Sequence, residues 1–410
     1  MRWLYNLGIF GYYLLVRVVS VRNEKARKWI EGRKDIFKRL RETIKPGEPI
    51  LWFHASSLGE FEQGRPVIES IRSHWPEYKI LLTFFSPSGY ELRKNYPYAD
   101  YIFYLPLDTR RNAIKFIEIV RPAKVFFIKY EFWFNFLTQL KEEGIPTYIF
   151  SALFRPSQIF FQPWGKWYLK AIASYEHIFV QNRESFDILH QFGFNNVSIS
   201  GDTRLDRVGQ IADAAPRLEK LESFCHGQKA IIAGSTWKED EDLFIPYVNK
   251  SPSGLKFVIA PHEVTPQTLE RICNALEKPY ALYSTASEES LSKVDILIAD
   301  GYGYLNSIYR YGMLAYVGGG FNSGIHSILE PAVFGLPVVF GPDYHKFQEA
   351  FDMLNLGAAS CINDSDELED EIENYRLNPE KLQTASNIAR SYVNRNRGAS
   401  QAIVQYLFHP

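Results

Sequence analysis

ILWFHASSLGE, residues Ile50 to Glu60, is the stretch on which the fold turns. Ile50-Leu51-Trp52-Phe53 is an unbroken apolar run, as in a strand covered on both faces. Small residues follow it, and then Phe61, Val67, Ile68 and Ile71 recur at helical spacing. Strand, small-residue turn and helix open a βα unit, and such a turn ordinarily brings backbone N–H groups to a phosphate. This turn ends in a carboxylate instead. Ser57-Leu58-Gly59-Glu60 has the S-x-x-E form of a capping box, in which the carboxylate reaches back to a backbone N–H. A second reading is that the turn serves an acceptor, and that Glu60 takes the proton of an acceptor hydroxyl as its oxygen attacks. Exchange for glutamine separates the two, since a cap tolerates it and a base does not.

The same rhythm continues outward. Apolar runs at 79–84 (KILLTF), 101–104 (YIFY), 124–128 (KVFFI), 146–150 (PTYIF), 177–180 (HIFV) and 197–199 alternate with helix-period stretches. That is the pattern of a parallel sheet covered on both faces. It stops near residue 201 and resumes with 229–234 (KAIIAG), 256–260 (KFVIA), 294–298 (VDILI), 313–317 (MLAYV) and 337–340 (PVVF). The chain has 410 residues, beyond the roughly 250–300 at which one core stops growing. The expected class is therefore α/β, with two Rossmann-like, doubly wound domains, 46–205 and 206–410, facing across a cleft and the carboxy-terminal helices in the second. Ligands of such sheets bind beyond the carboxyl ends of the strands, so the loops after strands are where chemistry is expected.

Lys and Arg total 46 against 47 Asp and Glu, which argues against a nucleic-acid binder with a basic surface throughout. Three cysteines, Cys225, Cys273 and Cys361, lie far apart without CxxC spacing, as expected of a reducing compartment. The amino terminus is unlike the rest. WLYNLGIFGYYLLVRVVSV, Trp3 to Val21, is apolar and aromatic but is interrupted by Arg17, and its apolar part is short of the ~20 residues that span a bilayer. Residues 22–45 then carry ten basic side chains against four acidic ones. An aromatic wedge beside such an excess suits an anionic cytoplasmic leaflet, at about 1 kcal/mol per basic residue near the surface. Residues 1–45 are thus expected to be a membrane-associated helix and a basic segment.

Four loops could carry chemistry. In GGGFNSGIHSILEPAVFGLPVVFGP, 318–342, Gly319 and Gly320 allow close approach of a ligand. Ser323 and Gly324 would precede a helix near 326–334 whose amino end favours an anion, with Glu330 placed for a ribose diol. In AGSTWKEDE, 233–241, Ser235 and Thr236 either cap a helix, Thr236 with Glu239, or hold a phosphate oxygen. His262 of APHEV contacts a base or phosphate, or is structural. In KYEFWFN, 129–135, Lys129 and Glu131 are charged residues at a strand end, where solvated helix starts also favour acids. Without H-E-x-x-H, G-x-S-x-G or G-K-[ST], no metal and no cofactor is expected, and charge is met by helix dipoles and basic side chains.

Taken in order, the motifs resemble those of the Kdo transferases, which move 3-deoxy-D-manno-oct-2-ulosonic acid (Kdo) from CMP-Kdo to a lipid A precursor at the bacterial inner membrane. The resemblance rests on H-A-S-S-L-G-E (54–60), E-F-W (131–133), Q-N-R-E (181–184), G-D-T-R-L-D (201–206), A-G-S-T (233–236) and S-G-I-H-S-I-L-E-P-A (323–332). It implies a GT-B fold, metal-free inversion at the anomeric carbon and attachment to the cytoplasmic face of the inner membrane. It further implies Glu60 as general base, Ser57, Gly59 and Glu131 on the acceptor side, and CMP held by Ser235, Thr236, His262, Gly319, Gly320, Ser323, Gly324, His326 and Glu330 or a subset. Two departures stand out. Pro261-His262-Glu263 lacks the arginine of the family's R-H-P-E, whose charge Lys238, Arg204 or Arg155 would have to supply, and Gly324-Ile325-His326-Ser327 replaces G-G-H-N. A nucleotide-sugar epimerase of the same architecture, or a non-catalytic sugar-nucleotide or lipid-binding membrane protein, are the alternatives; the first would use carboxylates and histidines on one bound UDP-sugar and needs no lipid, and in the second Glu60 is only a cap.

Overall fold

In the computed structural model, which describes residues 2–408, the helices α1 (Arg2–Val19), α2 (Glu24–Glu31) and α3 (Ile36–Thr43) lead into strand β1 (Ile50–Ala55) and helix α4 (Leu58–His74). Strands β2 (Lys79–Phe84), β3 (Tyr101–Tyr104), β4 (Lys124–Ile128), β5 (Thr147–Ala152), β6 (His177–Val180) and β7 (Val197–Ile199) complete a parallel sheet of order β3-β2-β1-β4-β5-β6-β7. All six residues of β1 are buried because helices cover both faces, as its unbroken apolar run requires. Alternation assigns them: Trp52 packs with Phe116, Phe127 and Phe136 on one face, while Phe53 stacks on Phe126 at 4.6 Å on the other. The strand order reverses between β1 and β4. The Ser56–Glu60 turn and the loop after Ile128 are therefore neighbours at the switch point, where such sheets receive ligands.

A second unit, Val208–Asn396, holds β8 (Ala230–Thr236), β9 (Phe257–Pro261), β10 (Tyr280–Leu282), β11 (Ile296–Ile298), β12 (Gly312–Val317), β13 (Val338–Phe340) and β14 (Ala359–Cys361). Their order, β10-β11-β9-β8-β12-β13-β14, reverses between β8 and β12, which brings the 235–241 and 318–326 loops together. The sequence shows no signal for β10 and β14. Each is a three-residue edge strand paired on one side only, too short for a periodicity to register.

Three details correct the sequence reading. The last helix, Ala399–Phe408, belongs with the first unit and not the second: Ile403, Val404 and Leu407 enter the core beneath α4, and Asp206 caps the helix by accepting the Gly398 and Ser400 N–H groups, each at 2.6 Å. Residues 2–45 group with the first unit. Tyr5 donates to Asp108 and Asn6 accepts from Asn135 at 2.9 Å, so α1 lies on the first unit along Tyr5, Ile9, Tyr13 and Val16. Its remaining apolar side chains stay exposed, Trp3 at 66%, Leu7 at 58%, Phe10 at 57% and Leu15 at 62%. Among the described residues no helix is long and apolar enough to cross a membrane. The third correction concerns Arg33, one of the ten basic residues, which turns inward. It lies over the Trp29 ring at 4.0 Å and donates to the Trp29, Phe85 and Leu105 carbonyls, pinning α2 to the sheet.

Candidate functional site

At the switch point of the first sheet, β1 delivers Ser56, Ser57 and Glu60, and the loop after β4 delivers Glu131. The expected capping box does not form. Ser57 is the N-cap residue of α4 but makes no side-chain cap; its hydroxyl donates to the Glu60 carboxylate instead. Glu60, the third residue of α4, is partly exposed, and its charge reaches the Tyr130 hydroxyl together with those of Arg155, Arg204 and Asp202. Burial pushes the Tyr130 phenol up, and the two arginines oppose that shift. Arg204 is braced by Asp202 at 2.6 Å. A Cβ on Gly59 would meet only Ser57 Oγ, at 3.8 Å, so packing within the protein does not demand glycine there.

Glu131 is of another kind. It is 1% exposed and accepts the Ser56 N–H at 2.7 Å, the Ser56 hydroxyl at 3.0 Å and the Trp133 indole N–H. His54 Nε2 lies 3.4 Å away. Among the described residues, two of the six non-glycine residues with positive φ sit at the ends of switch-point strands, Lys129 (73°) after β4 and Ser235 (54°) in β8, and a third, Ser151 (53°), lies near the end of the neighbouring β5. Each left-handed backbone costs about 1–2 kcal/mol, and such strain concentrates at functional sites.

In the second unit the key residue is Asp240, which the sequence reading passed over in favour of Glu239. Trp237, not Thr236, is the N-cap of the helix Lys238–Lys250, and Asp240 is the residue that reaches back to the Trp237 N–H, at 2.8 Å. It also accepts the Gly319 N–H at 2.9 Å and the Tyr316 hydroxyl at 2.7 Å, tying the loop after β12 to the loop after β8. Burial raises its carboxyl, and these donors oppose the shift. Thr236 is buried and donates to Glu241 at 3.1 Å, while Ser235 remains partly exposed.

The glycines serve packing. A Cβ on Gly318 would lie 2.4 Å from the Ser235 carbonyl oxygen, and one on Gly320 2.6 Å from Gly341. Gly319 and Gly324 have φ of 95° and 105°. The loop's N–H groups are largely spent inside it, Gly324 on Gly319 O at 3.1 Å and His326 on Gly318 O at 3.0 Å. The helix expected near 326–334 is shorter, Leu329–Ala332, so Ser323 and Gly324 lie in irregular backbone and Ser323 is exposed. Burial pushes the Glu330 carboxyl up to about 7.

Three rings gather beside this loop. Trp237 stacks on His262 at 4.7 Å, His262 on His326 at 4.2 Å, and the Trp237 indole donates to His326 Nε2 at 3.0 Å. Burial and then His262 lower His326 to about 4, in keeping with a bare Nε2. The sequence singled out both histidines but not Trp237. A tryptophan one residue beyond a strand reads as core, and only the turn of the chain aims it at the loop.

Glu330 carries a pH prediction. A carboxyl raised by folding contributes stability below its unfolded value and loses it as pH rises through the folded one. From pH 4.5 to 7 the protein should therefore lose stability relative to Glu330→Gln. Denaturant titrations of both at pH 5 and pH 8 measure this; an equal gap at the two pH values contradicts the buried carboxyl.

Residues 31–207 match the model of a family described as 3-Deoxy-D-manno-octulosonic-acid transferase (kdotransferase). The 3-deoxy-D-manno-octulosonic acid transferase of Aquifex aeolicus (strain VF5) is 26% identical over 344 residues, covering 82% of this chain and 88% of the relative. Among solved structures, UDP-GlcNAc 2-epimerase from Neisseria meningitidis superposes with a TM-score of 0.62 at 16% identity, over 88% of this chain and all (100%) of that one. MurG from Acinetobacter baumannii does so with a TM-score of 0.55 at 12% identity, over 88% of this chain and 98% of that one. At such identities these two show the fold alone, the GT-B architecture of two doubly wound domains. The family model matches residues 31–207, within the amino-terminal unit, and the Aquifex relative aligns over most of the chain: the chain is similar to the Kdo transferases along most of its length.

Proposed function

We propose that this chain is an inverting glycosyltransferase that moves Kdo from CMP-Kdo to a lipid A precursor, with Glu60 as general base. The observation that carries the reading is the setting of Glu60: a partly open carboxylate at the switch point of the first sheet, released from capping and held by Ser57. Arg155 and Arg204 beside it suit acidic substrates. The open space over Gly59 suits a substrate that passes close to the turn. In the reaction an acceptor hydroxyl, of glucosamine or of a Kdo already attached, gives its proton to Glu60. Its oxygen bonds to the anomeric carbon, and the bond from that carbon to the CMP phosphate breaks with its electron pair leaving on CMP. Within the second unit the Trp237, His262 and His326 rings offer a flat face to a pyrimidine, and Ser235, His262 and Glu330 supply polar contacts.

The exposed apolar face of α1, with the basic residues around it, supports attachment to an anionic inner-membrane surface on its cytoplasmic face. The test is transfer from CMP-Kdo to a lipid acceptor, with thermal shifts measured for CMP and UMP. We expect transfer and a larger shift with CMP; a preference for UMP and no transfer would return the chain to the epimerase-like alternative. In the same preparation, Leu7→Glu with Leu15→Glu should cut binding to vesicles rich in anionic lipid about tenfold or more, given the cost of placing charge at an apolar membrane contact. Unchanged binding would reject attachment through α1.

A further inference from the structure

His54 lies in β1 with its ring wholly buried. Its Nδ1 is 3.1 Å from the Thr83 carbonyl oxygen, which can only accept, and 2.8 Å from the Thr83 hydroxyl. That hydroxyl already receives the Trp52 indole N–H at 2.7 Å and gives its own proton to the Phe53 carbonyl at 3.3 Å. Thr83 thus fixes the ring through Nδ1. On the opposite side of the ring, Nε2 lies 3.4 Å from Glu131 Oε2 and makes no hydrogen bond. Glu131 in turn takes three donors, from the Ser56 N–H, the Ser56 hydroxyl and the Trp133 indole. A bare Nε2 would set its lone pair against the Glu131 oxygen where no water reaches, whereas an Nε2–H turns that side of the ring into a donor facing it.

We propose that His54 is a positioning residue, which holds Glu131 in place and, through Ser56, holds the Ser57–Glu60 turn in its working geometry. This rests on the reading of Glu60 as the base. The path is short. His54 faces Glu131, Glu131 grips Ser56 by both its amide and its hydroxyl, Ser57 follows in the chain, and Ser57 donates to Glu60. Buried polar pairs seldom stabilise a fold better than apolar residues of the same volume, so stability alone does not account for a histidine at the end of an otherwise apolar strand. Fixing the direction of a carboxylate beside the reacting groups does account for it.

The experiment is two-dimensional 15N–1H spectroscopy of the imidazole rings, in full-length protein labelled with 15N-histidine, at pH 8. The chain has nine histidines, and His54→Gln identifies the signals of interest; should that variant not fold, their displacement in Glu131→Gln identifies them. The expected result is a His54 ring whose Nε2 carries a proton, with that signal displaced in Glu131→Gln. A bare Nε2 on His54 in the wild type overturns the proposal, whether or not the protein transfers anything. In the transfer assay, folded His54→Gln should lose about 100-fold in kcat, the scale of a misplacement near 1 Å, with the acceptor KM within twofold. An unchanged kcat would overturn the positioning role. Absence of transfer by the wild type would reject the proposed function and leave the spectrum to decide the His54–Glu131 contact on its own.

Discussion

Glu60→Gln should lower kcat for Kdo transfer by about 10²–10⁴, the usual contribution of a positioned general base, while its thermal stability stays within about 0.5 kcal/mol of wild type. The geometry explains why the two effects should part. An amide oxygen at position 60 still accepts the Ser57 hydroxyl, and the helix loses no cap because Ser57 makes none. What the amide cannot do is take a proton. Ser57→Ala, which removes only the donor, should cost far less activity. The decisive measurement is kcat of each variant beside its melting temperature. Full activity in Glu60→Gln would show that the carboxylate only shapes the turn, and would remove the base from the mechanism.

Asp240→Ala should destabilise the second unit by about 3–5 kcal/mol, the sum expected when buried donors lose their acceptor, and should abolish the thermal shift with CMP. Three donors, the Trp237 and Gly319 N–H groups and the Tyr316 hydroxyl, converge on this one carboxyl. Alanine would leave all three in the protein interior without a partner. Asp240→Asn should be mild, because an amide oxygen can take both backbone N–H groups while its NH₂ turns to the Tyr316 oxygen. The pH dependence points the same way. Burial raises the Asp240 carboxyl, so its contribution falls as pH rises through the folded value, and the neutral asparagine lacks that slope. Denaturant midpoints of the two variants at pH 5 and pH 8 check both statements. An alanine variant within 1 kcal/mol of wild type would mean that the loops are joined by something else.

These two residues show how far reading the chain could go. Glu60 was legible because its signal is local: strand, small-residue turn and helix follow one another within eleven positions, and the carboxylate stands where a phosphate would normally be met. Whether it caps or reacts was not legible, since both roles share the S-x-x-E spacing; the direction of the Ser57 hydroxyl shows only that the reciprocal cap is not made. Asp240 was hidden by its neighbour Glu239, which fits the same spacing when counted from Thr236. The cap begins one residue later, at Trp237, because β8 runs on through Thr236.

Periodicity and turn chemistry along the chain therefore determined the alternation of strands and helices, the two-domain α/β class and the loops in which to look, because each of these is written in residues a few positions apart. The partnerships belong to tertiary structure. His54 and Glu131 meet across 77 positions because the strand order reverses between β1 and β4. Trp237 and His326 meet across 89 because it reverses again between β8 and β12. Which strands lie side by side depends on how covering helices pack onto a shared sheet, and no local stretch of sequence contains that.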